Sequence, residues 1–429
     1  MRTLILGTSL RGLADAARIS LVDGDEVVVY DAEVPEPPAD LIDRVTVLPI
    51  EWMADHLDGI DRVVTSPWFP ETRPPISDAL SRGIEVITEA GFGLEHIDVP
   101  FVAVTGTNGK TTVTELITQM LTASGVRALG AGNLGDPVTS MTNIDVDILV
   151  LELSSYQLRF LGDAVPQAAA LLNIAPDHLD WHGTFDEYVA AKARVAEGMA
   201  TDAILAYNVH DETVVSALES AMCTLVPCSG IDVPQGGNGV ADRHILVNEH
   251  EFPASTEDPS FLFDLVAAGT VAIAVGASVQ GIGSTIAAFV TGAHRRQIVE
   301  TVDGIVWIDD SKATNPHATS AAVDAHAPVV LLAGGQNKGL DLASIGRLDG
   351  VTHLIAFGEA GPAIGSDATV ELTVVCSLEA AVTAARTIAR AGDTVLLSPG
   401  CASFDEFSSY AERGDEFQRL VKQTGGIAA

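Results

Sequence analysis

The sequence predicts an α/β protein with three domains: a Rossmann-like N-terminal domain, a central P-loop ATPase-like domain with a parallel sheet, and a C-terminal Rossmann-like α/β domain. Short β-rich apolar runs alternate with helix-compatible stretches along the chain, a pattern typical of parallel sheets. The length of 429 residues also corresponds to about three domains of roughly 150 residues each. A single small binding module is therefore excluded.

The predicted N-terminal domain covers residues 1–97. Turn signals such as Asp23-Gly24 and Pro70 separate its apolar runs. Strands are predicted at residues 3–6, 27–30, 62–65 and 85–87. The turn at residues 7–12 matches a dinucleotide-binding fingerprint only in part, because the middle glycine is missing, and it gives little support for NAD binding.

The predicted central domain covers residues 98–291. It begins with a strand at 101–104, a glycine-rich loop and a helix at 111–124, and it continues with strands at 148–153 and 168–174. The apolar stretch at 265–279 predicts a buried helix, because it is too short and too rich in Gly, Ser and Thr for a membrane span. Residues 229–260, rich in Gly, Pro and Asp, predict a peripheral loop or hairpin.

The predicted C-terminal domain covers residues 292–429 and shows the same alternation. Its strands are predicted at residues 298–302, 305–308, 329–333, 354–357 and 395–398, with helical segments between them. The sequence therefore predicts a third α/β layer structure at this end of the chain.

Acidic residues greatly outnumber basic ones. The chain has 58 Asp and Glu against 23 Lys and Arg, a formal net charge of −35, so its surface would repel nucleic-acid phosphates and anionic lipids. We therefore expect no nucleic-acid partner and no membrane insertion. The four cysteines form no Cys-x-x-Cys pair, which argues against a zinc site or a disulfide framework and favours a cytoplasmic location.

The glycine-rich loop is the strongest functional signal. It reads Gly106-Thr107-Asn108-Gly109-Lys110-Thr111-Thr112 and lies between an apolar strand and an amphipathic helix, the setting of a phosphate-binding loop. The two glycines would let the backbone approach phosphates, the lysine would neutralise charge, and a threonine hydroxyl could ligate Mg²⁺. The alternative is an ordinary strand-to-helix turn.

Further motifs follow in order along the chain. They are LELSSYQL at 151–158, NIAPDHLDWHG at 173–183, AAKARV at 190–195, IDDSKATNPHA at 308–318, LLAGGQNKGLD at 331–341 and LLSPGCASFDEF at 396–407. With the phosphate loop, they resemble the Mur ligases of peptidoglycan synthesis over nearly the whole chain, least before residue 60. The first three are shared with folylpolyglutamate synthases, whereas the runs at 308–318 and 396–407 are similar to those of members that add D-glutamate.

The resemblance implies an ATP-dependent ligase that adds D-glutamate to UDP-N-acetylmuramoyl-L-alanine through an acyl phosphate, with ATP and two Mg²⁺ ions. It further implies that the three domains, in chain order, bind the UDP substrate, ATP and the amino acid. We expect a monomer. Two alternatives stay open: a Mur-type ligase for another amino acid and a catalytically inactive nucleotide-binding regulator.

The resemblance also assigns site residues. The catalytic set is Lys110, Glu152, His178, Lys192, Arg295 and Lys312. The ATP-binding set is the phosphate loop with Asp264, Arg295 and Asp310. The metal-binding set is Thr111, Glu152, His178 and Lys192, the last as its carbamate. The UDP-substrate set is Ser66, Pro67, Asn133 and His178. The D-glutamate set is Thr314, Lys338, Ser403, Phe404 and Tyr410.

The residues alone leave structural alternatives open at six of these positions. Three of them, Arg295, Asp310 and Lys312, could each be an ordinary charge at a domain boundary. Glu152 ends a predicted strand, where a carboxylate can meet either a metal or solvent. His178 lies in a turn between acidic neighbours and could equally be a surface residue. Lys192, in the middle of a helical run, would ordinarily extend its amine to solvent.

Three places depart from the family pattern, and one of them is the segment at 291–295, which lacks the usual proline before His294. Asp264 stands where the family has an asparagine near adenine, which keeps an acceptor but loses the amide donor. Asp309 stands where asparagine is common. The phosphate-loop and metal-binding positions are intact, so the sequence still predicts an active enzyme.

Overall fold

The computed structural model describes residues 1–32, 36–133 and 135–423. These residues form two compact units. The first comprises Met1–Ala175 and Trp181–Ala288, and the second comprises Pro176–Asp180 and the chain from Phe289 onward. The predicted boundary at 97/98 lies inside the first unit and the one at 291/292 lies near the start of the second. Both boundaries stay predictions.

The first unit begins with a five-stranded parallel sheet. Its strands are β1 (Arg2–Leu6), β2 (Glu26–Tyr30), β3 (Thr46–Val47), β4 (Arg62–Thr65) and β5 (Glu85–Thr88), in the order β3-β2-β1-β4-β5. Helices α1 (Arg11–Val22), α2 (Ile76–Ser81) and α3 (Glu89–Leu94) follow β1, β4 and β5. On β1, Leu4 and Leu6 belong to one apolar cluster and Ile5 to another. Alternate side chains therefore pack on opposite faces, and both faces of the sheet are covered.

A six-stranded parallel sheet follows in the same unit. Its strands are β6 (Phe101–Thr105), β7 (Ala128–Gly132), β8 (Ile148–Glu152), β9 (Ala168–Leu171), β10 (Ile204–Asn208) and β11 (Thr224–Cys228). The order is β11-β10-β9-β6-β8-β7, with every pair parallel. The fully buried β6 lies between β9 and β8. The carboxyl ends of these three strands therefore meet at one edge, the place where open α/β sheets bind ligands.

Helices cover this second sheet. They are α4 (Lys110–Ala123), α5 (Ser155–Arg159), α7 (Phe185–Ala193), α8 (Glu212–Ala217), α9 (Pro259–Ala274) and α10 (Val279–Ala288). The short α6 (Leu179–His182) contains residues of both units. Helix α9 confirms the predicted buried helix but begins earlier, because the Asp258 side chain accepts the Ser260 N–H at 2.9 Å and Pro259 occupies the first turn.

Residues 229–260 contain a small antiparallel sheet, as the predicted hairpin implied. Its strands are β12 (Gly239–Ala241), β13 (His244–Val247) and β14 (His250–Pro253), in that order. Ile245, Val247 and Phe252 are its buried side chains. The sheet packs against α9 and α10.

The second unit is built on another six-stranded sheet. Its strands are β15 (Gln297–Val302), β16 (Ile305–Asp309), β17 (Val329–Gly334), β18 (Val351–Phe357), β19 (Glu371–Val374) and β20 (Thr394–Leu397). The order is β15-β16-β20-β17-β18-β19, and only the hairpin of β15 and β16 is antiparallel. The helices are α11 (Pro316–His326), α12 (Gly361–Gly365), α13 (Leu378–Ile388) and α14 (Tyr410–Lys422). Two apolar clusters cover the two faces.

The α/β class with parallel sheets is confirmed. Every strand that the sequence predicted is present, with ends shifted by at most three residues, whereas β3, β7, β10, β11 and β19 were not predicted. None of the helices in the described ranges has both the length and the apolar character of a membrane span.

Candidate active site

The phosphate-loop motif folds as a turn between β6 and α4. Gly109 caps α4 with a left-handed φ of 86°. A Cβ at Gly109 would lie 2.8 Å from Oδ1 of Asp264, and one at Gly106 would lie 2.9 Å from Cβ of Leu172. Close packing therefore requires glycine at both positions. Because these positions carry no side chain, the backbone N–H groups at the start of α4 can face an anion.

The end of β9 holds this loop in shape. The Asn173 side chain accepts the N–H of Asn108 at 2.7 Å and donates to its carbonyl at 3.1 Å. The Asn173 carbonyl accepts the N–H of Thr107 at 2.8 Å. With its backbone groups satisfied by a neighbouring strand, the loop is organised before any ligand arrives.

Lys110 lies over the loop that precedes it. Its Nζ donates to the carbonyls of Gly106 and Thr107, both at 3.0 Å. Thr111 is half-buried and Thr112 is buried in the first turn of α4. The predicted phosphate-binding residues thus lie together at one helix N-terminus.

Lys192 is buried, which rules out the alternative that its amine extends to solvent. It is 1% exposed, its Nζ donates to the Gly106 carbonyl at 2.8 Å, and the same atom lies 4.7 Å from the ring centroid of Tyr188. The Tyr188 hydroxyl lies 2.9 Å from Oγ1 of Thr107. Helix α7 therefore packs directly on the phosphate loop and carries the lysine into it.

Glu152 combines burial with an unsatisfied oxygen. It ends β8 and is 3% exposed. Its Oε1 accepts the Asn133 amide at 2.8 Å, and its Oε2 has no hydrogen-bond partner among the described residues. A buried carboxylate oxygen without a partner is costly, and a cation is the partner that would satisfy it. Glu152 is therefore not a solvent-exposed carboxylate, and one of its oxygens is available to a cation.

The residues present fit Mg²⁺ better than a transition metal. Across the described ranges, no three or more His, Cys, Asp and Glu side chains are grouped closely enough to hold a metal ion. Mg²⁺ is usually bound by one or two carboxylates together with water and substrate phosphates. The single orphaned oxygen of Glu152 next to a phosphate loop suits that coordination.

Two further predicted positions lie in the first unit. Asp264, on α9, is 6% exposed and reaches the phosphate loop at Gly109. Ser66 follows β4 with a buried Oγ that has no hydrogen-bond partner in the described structure. The carbonyl of the adjacent Pro67 accepts the Trp181 indole N–H at 2.9 Å. The Ser66-Pro67 turn is thus anchored, and its contact with the UDP substrate stays a prediction.

In the second unit, Arg295 lies on a strained segment. The flanking residues His294 and Arg296 have left-handed φ values of 58° and 47°. The His294 carbonyl accepts the Lys312 N–H at 3.1 Å. Such strain in non-glycine residues is retained where the surroundings fix the backbone, and it is common at functional sites.

Asp309 explains what fixes this segment. Its buried carboxylate lies 2.7 Å from Nδ1 of His294 and accepts the Gln418 amide at 2.9 Å and the Ser311 N–H at 2.9 Å. An ionised carboxylate is an acceptor only, which suits three converging donors. The aspartate that stands here in place of the family's usual asparagine therefore suits the contacts that surround it.

Four of the predicted D-glutamate residues, and the predicted catalytic Lys312, follow neighbouring strands. Lys312 and Thr314 follow β16, Lys338 follows β17, and Ser403 and Phe404 follow β20. These strands are adjacent in the order β16-β20-β17, so their carboxyl ends share one edge of the sheet.

Tyr410 joins this group at the start of α14. The Lys312 Nζ lies 5.2 Å from the centroid of its ring. Ser403 is buried, whereas Phe404 is 64% exposed. The structure therefore places Lys312 beside Tyr410, and the binding of D-glutamate by this group stays a prediction.

His178 belongs to the short segment assigned to the second unit. It has a left-handed φ of 53°, and its N–H donates to the Asp177 side chain at 2.9 Å. Asp177 also accepts the Asn315 amide at 3.4 Å. The role of His178 in metal and substrate binding stays a prediction.

Family models match two parts of the chain. The Mur ligase middle domain matches residues 104–235, and the Mur ligase, glutamate ligase domain matches residues 294–401. A relative from Rubrobacter xylanophilus, named UDP-N-acetylmuramoylalanine--D-glutamate ligase, is 37% identical over 437 residues, covering 98% of each chain. A relative of the same name from Frankia casuarinae is 37% identical over 455 residues, covering 99% of this chain and 94% of its own. The chain belongs to the Mur ligase family.

Solved structures share the fold of this Mur ligase at low sequence identity. A pseudomurein peptide ligase type C from Methanothermus fervidus has a TM-score of 0.62 at 15% identity, covering 99% of this chain and all of the other. MurF from Thermotoga maritima in complex with ADP has a TM-score of 0.59 at 17% identity, covering 85% and 96%.

Sequence reasoning missed two residues that shape the site of this Mur ligase. Tyr188 lies four residues before Lys192 on α7, a spacing that places both on one helix face. Asn173 follows β9, next to the strand that leads into the phosphate loop. Both signals were present in the sequence, since Tyr188 stands four residues before Lys192 and Asn173 is the first residue of the run at 173–183.

Burial gives Asp310 an unusual titration. It is 6% exposed, and burial raises the pKa of its carboxyl to about 7, although Arg296 and a 2.8 Å hydrogen bond from Ser398 lower it. The folded protein then holds a proton that the unfolded chain releases near pH 4. Stability from this group is therefore complete below about pH 4 and is lost as the pH rises through about 7.

Asp310→Asn is expected to remove this pH dependence. Between about pH 5 and about pH 8, the free energy of unfolding of the second unit should fall by about 2–3 kcal/mol more in the wild type than in the variant, because one pKa unit corresponds to about 1.4 kcal/mol. Hydrogen exchange of peptides from β16 and β20, corrected for the intrinsic rate, measures the difference. Asp349→Asn, at an exposed carboxylate, is the control. Parallel pH profiles for wild type and Asp310→Asn would disprove the assignment.

Proposed function

We propose that this Mur ligase joins D-glutamate to UDP-N-acetylmuramoyl-L-alanine in a reaction that converts ATP to ADP and phosphate. The phosphate loop carries the ATP part of the proposal, because Lys110, Lys192 and Glu152 surround or adjoin it in the first unit. Full-length relatives that bear the name of this ligase support the choice of substrates. The predicted domains 1–97, 98–291 and 292–429 would bind UDP substrate, ATP and amino acid in turn.

The reaction has two steps. A carboxylate oxygen of the alanyl group attacks the γ-phosphorus of ATP, an acyl phosphate forms, and ADP leaves. The neutral amine of D-glutamate then attacks the acyl carbon, the C–N bond forms, and phosphate departs with the former carboxylate oxygen while the amine loses a proton. Both reacting partners in the first step are anionic, so neutralisation and positioning supply most of the catalysis.

Residues of this chain meet those needs. Lys110 and the N-terminal amides of α4 bind the phosphates, and Arg295 adds a second positive charge at the transferring group. Thr111, Glu152, His178 and Lys192 as its carbamate would hold Mg²⁺, which supplies further charge neutralisation when bound.

The remaining predicted residues bind the three substrates. Ser66, Pro67 and Asn133 would contact the UDP substrate, and Asp264 and Asp310 the nucleoside of ATP. Thr314, Lys338, Ser403, Phe404 and Tyr410 would hold D-glutamate, with Lys312 near the reacting atoms. We infer that the enzyme acts as a cytoplasmic monomer.

Phosphate release from ATP tests the proposal. The assay contains UDP-N-acetylmuramoyl-L-alanine and, in turn, D-glutamate, L-glutamate, L-alanine, L-lysine or no amino acid. Release that requires both the nucleotide sugar and D-glutamate is expected. Release with another amino acid would keep the ligase chemistry and change the substrate. ATP binding without release under any condition would support a nucleotide-binding regulator and overturn the proposal.

Glu152→Gln is expected to stabilise the ligand-free first unit and to weaken its use of Mg²⁺. The substitution removes a buried charge and keeps an oxygen that accepts from the Asn133 amide. Thermal denaturation should therefore show a free energy of unfolding that is higher by about 1 kcal/mol. The Mg²⁺ concentration for half-maximal activity should rise at least about tenfold. Glu115→Gln, at an exposed position of α4, is the control. A destabilised variant with an unchanged Mg²⁺ requirement would refute this role.

A further inference from the structure

Arg413, on α14, is a buried cation that none of the assigned roles uses. It is 1% exposed. Its guanidinium donates five hydrogen bonds, and every acceptor within the described residues is a backbone carbonyl or a hydroxyl rather than a carboxylate. Burying a charge this deeply costs desolvation free energy, which an apolar side chain would not cost. The hydrogen bonds of Arg413 therefore point to a role that an apolar side chain could not fill.

Four of the five acceptors lie in the segments that follow β16 and β20, and the fifth is the carbonyl of Gly334, the last residue of β17. Nε donates to Oγ of Ser311 at 3.0 Å and Nη2 to its carbonyl at 2.9 Å. Nη2 also donates to the Cys401 carbonyl at 3.1 Å. Nη1 donates to the carbonyls of Ala402 at 3.2 Å and Gly334 at 3.4 Å. One planar group therefore fixes the spacing of three separate chain segments.

Each of these segments carries residues of the proposed amino-acid site. Ser311 is the residue before Lys312, the segment after Gly334 leads to Lys338, and Ala402 is the residue before Ser403. A shift of any carbonyl that Arg413 holds would move the neighbouring side chain by a similar distance.

Further contacts tie the same segments to each other and to α14. Gln336 and Ala402 exchange two backbone hydrogen bonds, at 2.8 and 3.1 Å. Oγ of Ser311 donates to the Tyr410 carbonyl at 2.8 Å. A Cβ at Gly335 would lie 2.1 Å from the Ala402 carbonyl and 3.0 Å from Nη1 of Arg413. The guanidinium thus lies at the centre of a close-packed arrangement that leaves no room for a larger residue at Gly335.

We propose that Arg413 is a positioning residue for D-glutamate, which sets the relative placement of the three segments that bind the amino acid without touching it. The inference rests on the proposed function. A lysine cannot replace it, because its three donors radiate from one point and cannot reach five acceptors spread over a planar fork. Burial lowers the pKa of Arg413 to about 10, so the guanidinium is still charged at neutral pH.

Arg413→Lys tests this role against a matched control. Arg386, in the same unit, also donates to backbone carbonyls, those of Leu420 at 2.8 Å and Val421 at 2.9 Å, but near the opposite end of α14. Arg386→Lys should therefore perturb the second unit without disturbing the amino-acid site. We expect Arg413→Lys to raise the KM for D-glutamate at least about tenfold, while the KM values for ATP and the UDP substrate stay within about twofold. Arg386→Lys should leave all three unchanged.

A second variant tests the same role in case Arg413→Lys does not fold. Arg413→Ala should recover affinity for D-glutamate when millimolar guanidinium is added, and Arg386→Ala should not respond. An unchanged KM for D-glutamate, or an equal rise in all three KM values, would overturn the positioning role. The proposed function is judged separately on the wild-type enzyme, because absence of D-glutamate-dependent phosphate release there would refute that function whatever the variants do.

Discussion

Replacing Lys110 by alanine is expected to lower kcat at least about a thousandfold while the protein stays folded. The ammonium lies over the phosphate loop, where it donates to the Gly106 and Thr107 carbonyls at 3.0 Å. Lys110 is also the first residue of α4, so its charge lies at the helix N-terminus that is proposed to bind the phosphates. Loss of a single preorganised donor to a developing charge costs about a hundredfold to a thousandfold, and loss of a full charge at a phosphoryl group should cost more. Phosphate release at saturating substrates measures the effect.

The control for this variant is Lys422→Ala, at an exposed position of α14. Circular dichroism and the thermal transition should match the wild type for both variants, because Lys110 is only half-buried and alanine is a good helix former at the first position of α4. Retention of more than about a tenth of the wild-type kcat in Lys110→Ala would rule out the assigned ATP site.

Replacing Lys192 by arginine is expected to abolish most activity, by at least about a hundredfold. A neutral amine can add CO₂ to form a carbamate with release of a proton, which converts a cation into a carboxylate-like metal ligand. Arginine keeps the positive charge and cannot undergo this reaction.

Two measurements separate carbamylation from simple loss of packing. Wild-type protein in ¹³C-bicarbonate should show a carbamate carbon signal that Lys192→Arg lacks and Lys422→Arg retains. The cavity in Lys192→Ala should accept acetate or formate and regain part of the activity, whereas equal chloride should have no effect. A free amine in the wild type, together with an active Lys192→Arg enzyme, would show that Lys192 has only a structural role.

The fold class was predictable because its signals are local. Apolar runs bounded by turn residues marked the central strands, whose burial on both faces demands such composition. The strands that escaped prediction are mostly at sheet edges. Strand β7 reads ALGAG, without a β-branched residue, and β19 is largely exposed. Edge strands bury fewer side chains, so their sequences carry a weaker pattern.

The candidate site also contains some residues that could be located from the sequence and others that could not. The phosphate loop could be located from sequence because its glycines, lysine and threonines are contiguous. The burial of Lys192 could not, because it depends on which face of α7 packs against Gly106, far away in the chain. Asp309 is a similar case, since its partners His294 and Gln418 come together only in the folded second unit. Periodicity reveals that a helix has a buried face but not what that face contacts.

The transfer of one oxygen atom tests the central claim most directly. UDP-N-acetylmuramoyl-L-alanine with both oxygens of its alanyl carboxylate labelled with ¹⁸O is converted with ATP and D-glutamate, and the released phosphate is analysed by mass spectrometry. Attack of the carboxylate on the γ-phosphorus predicts that each phosphate carries a single ¹⁸O and that the other label remains in the amide. Unlabelled phosphate released alongside the amide product would mean that water attacks ATP, and it would contradict the acyl-phosphate account.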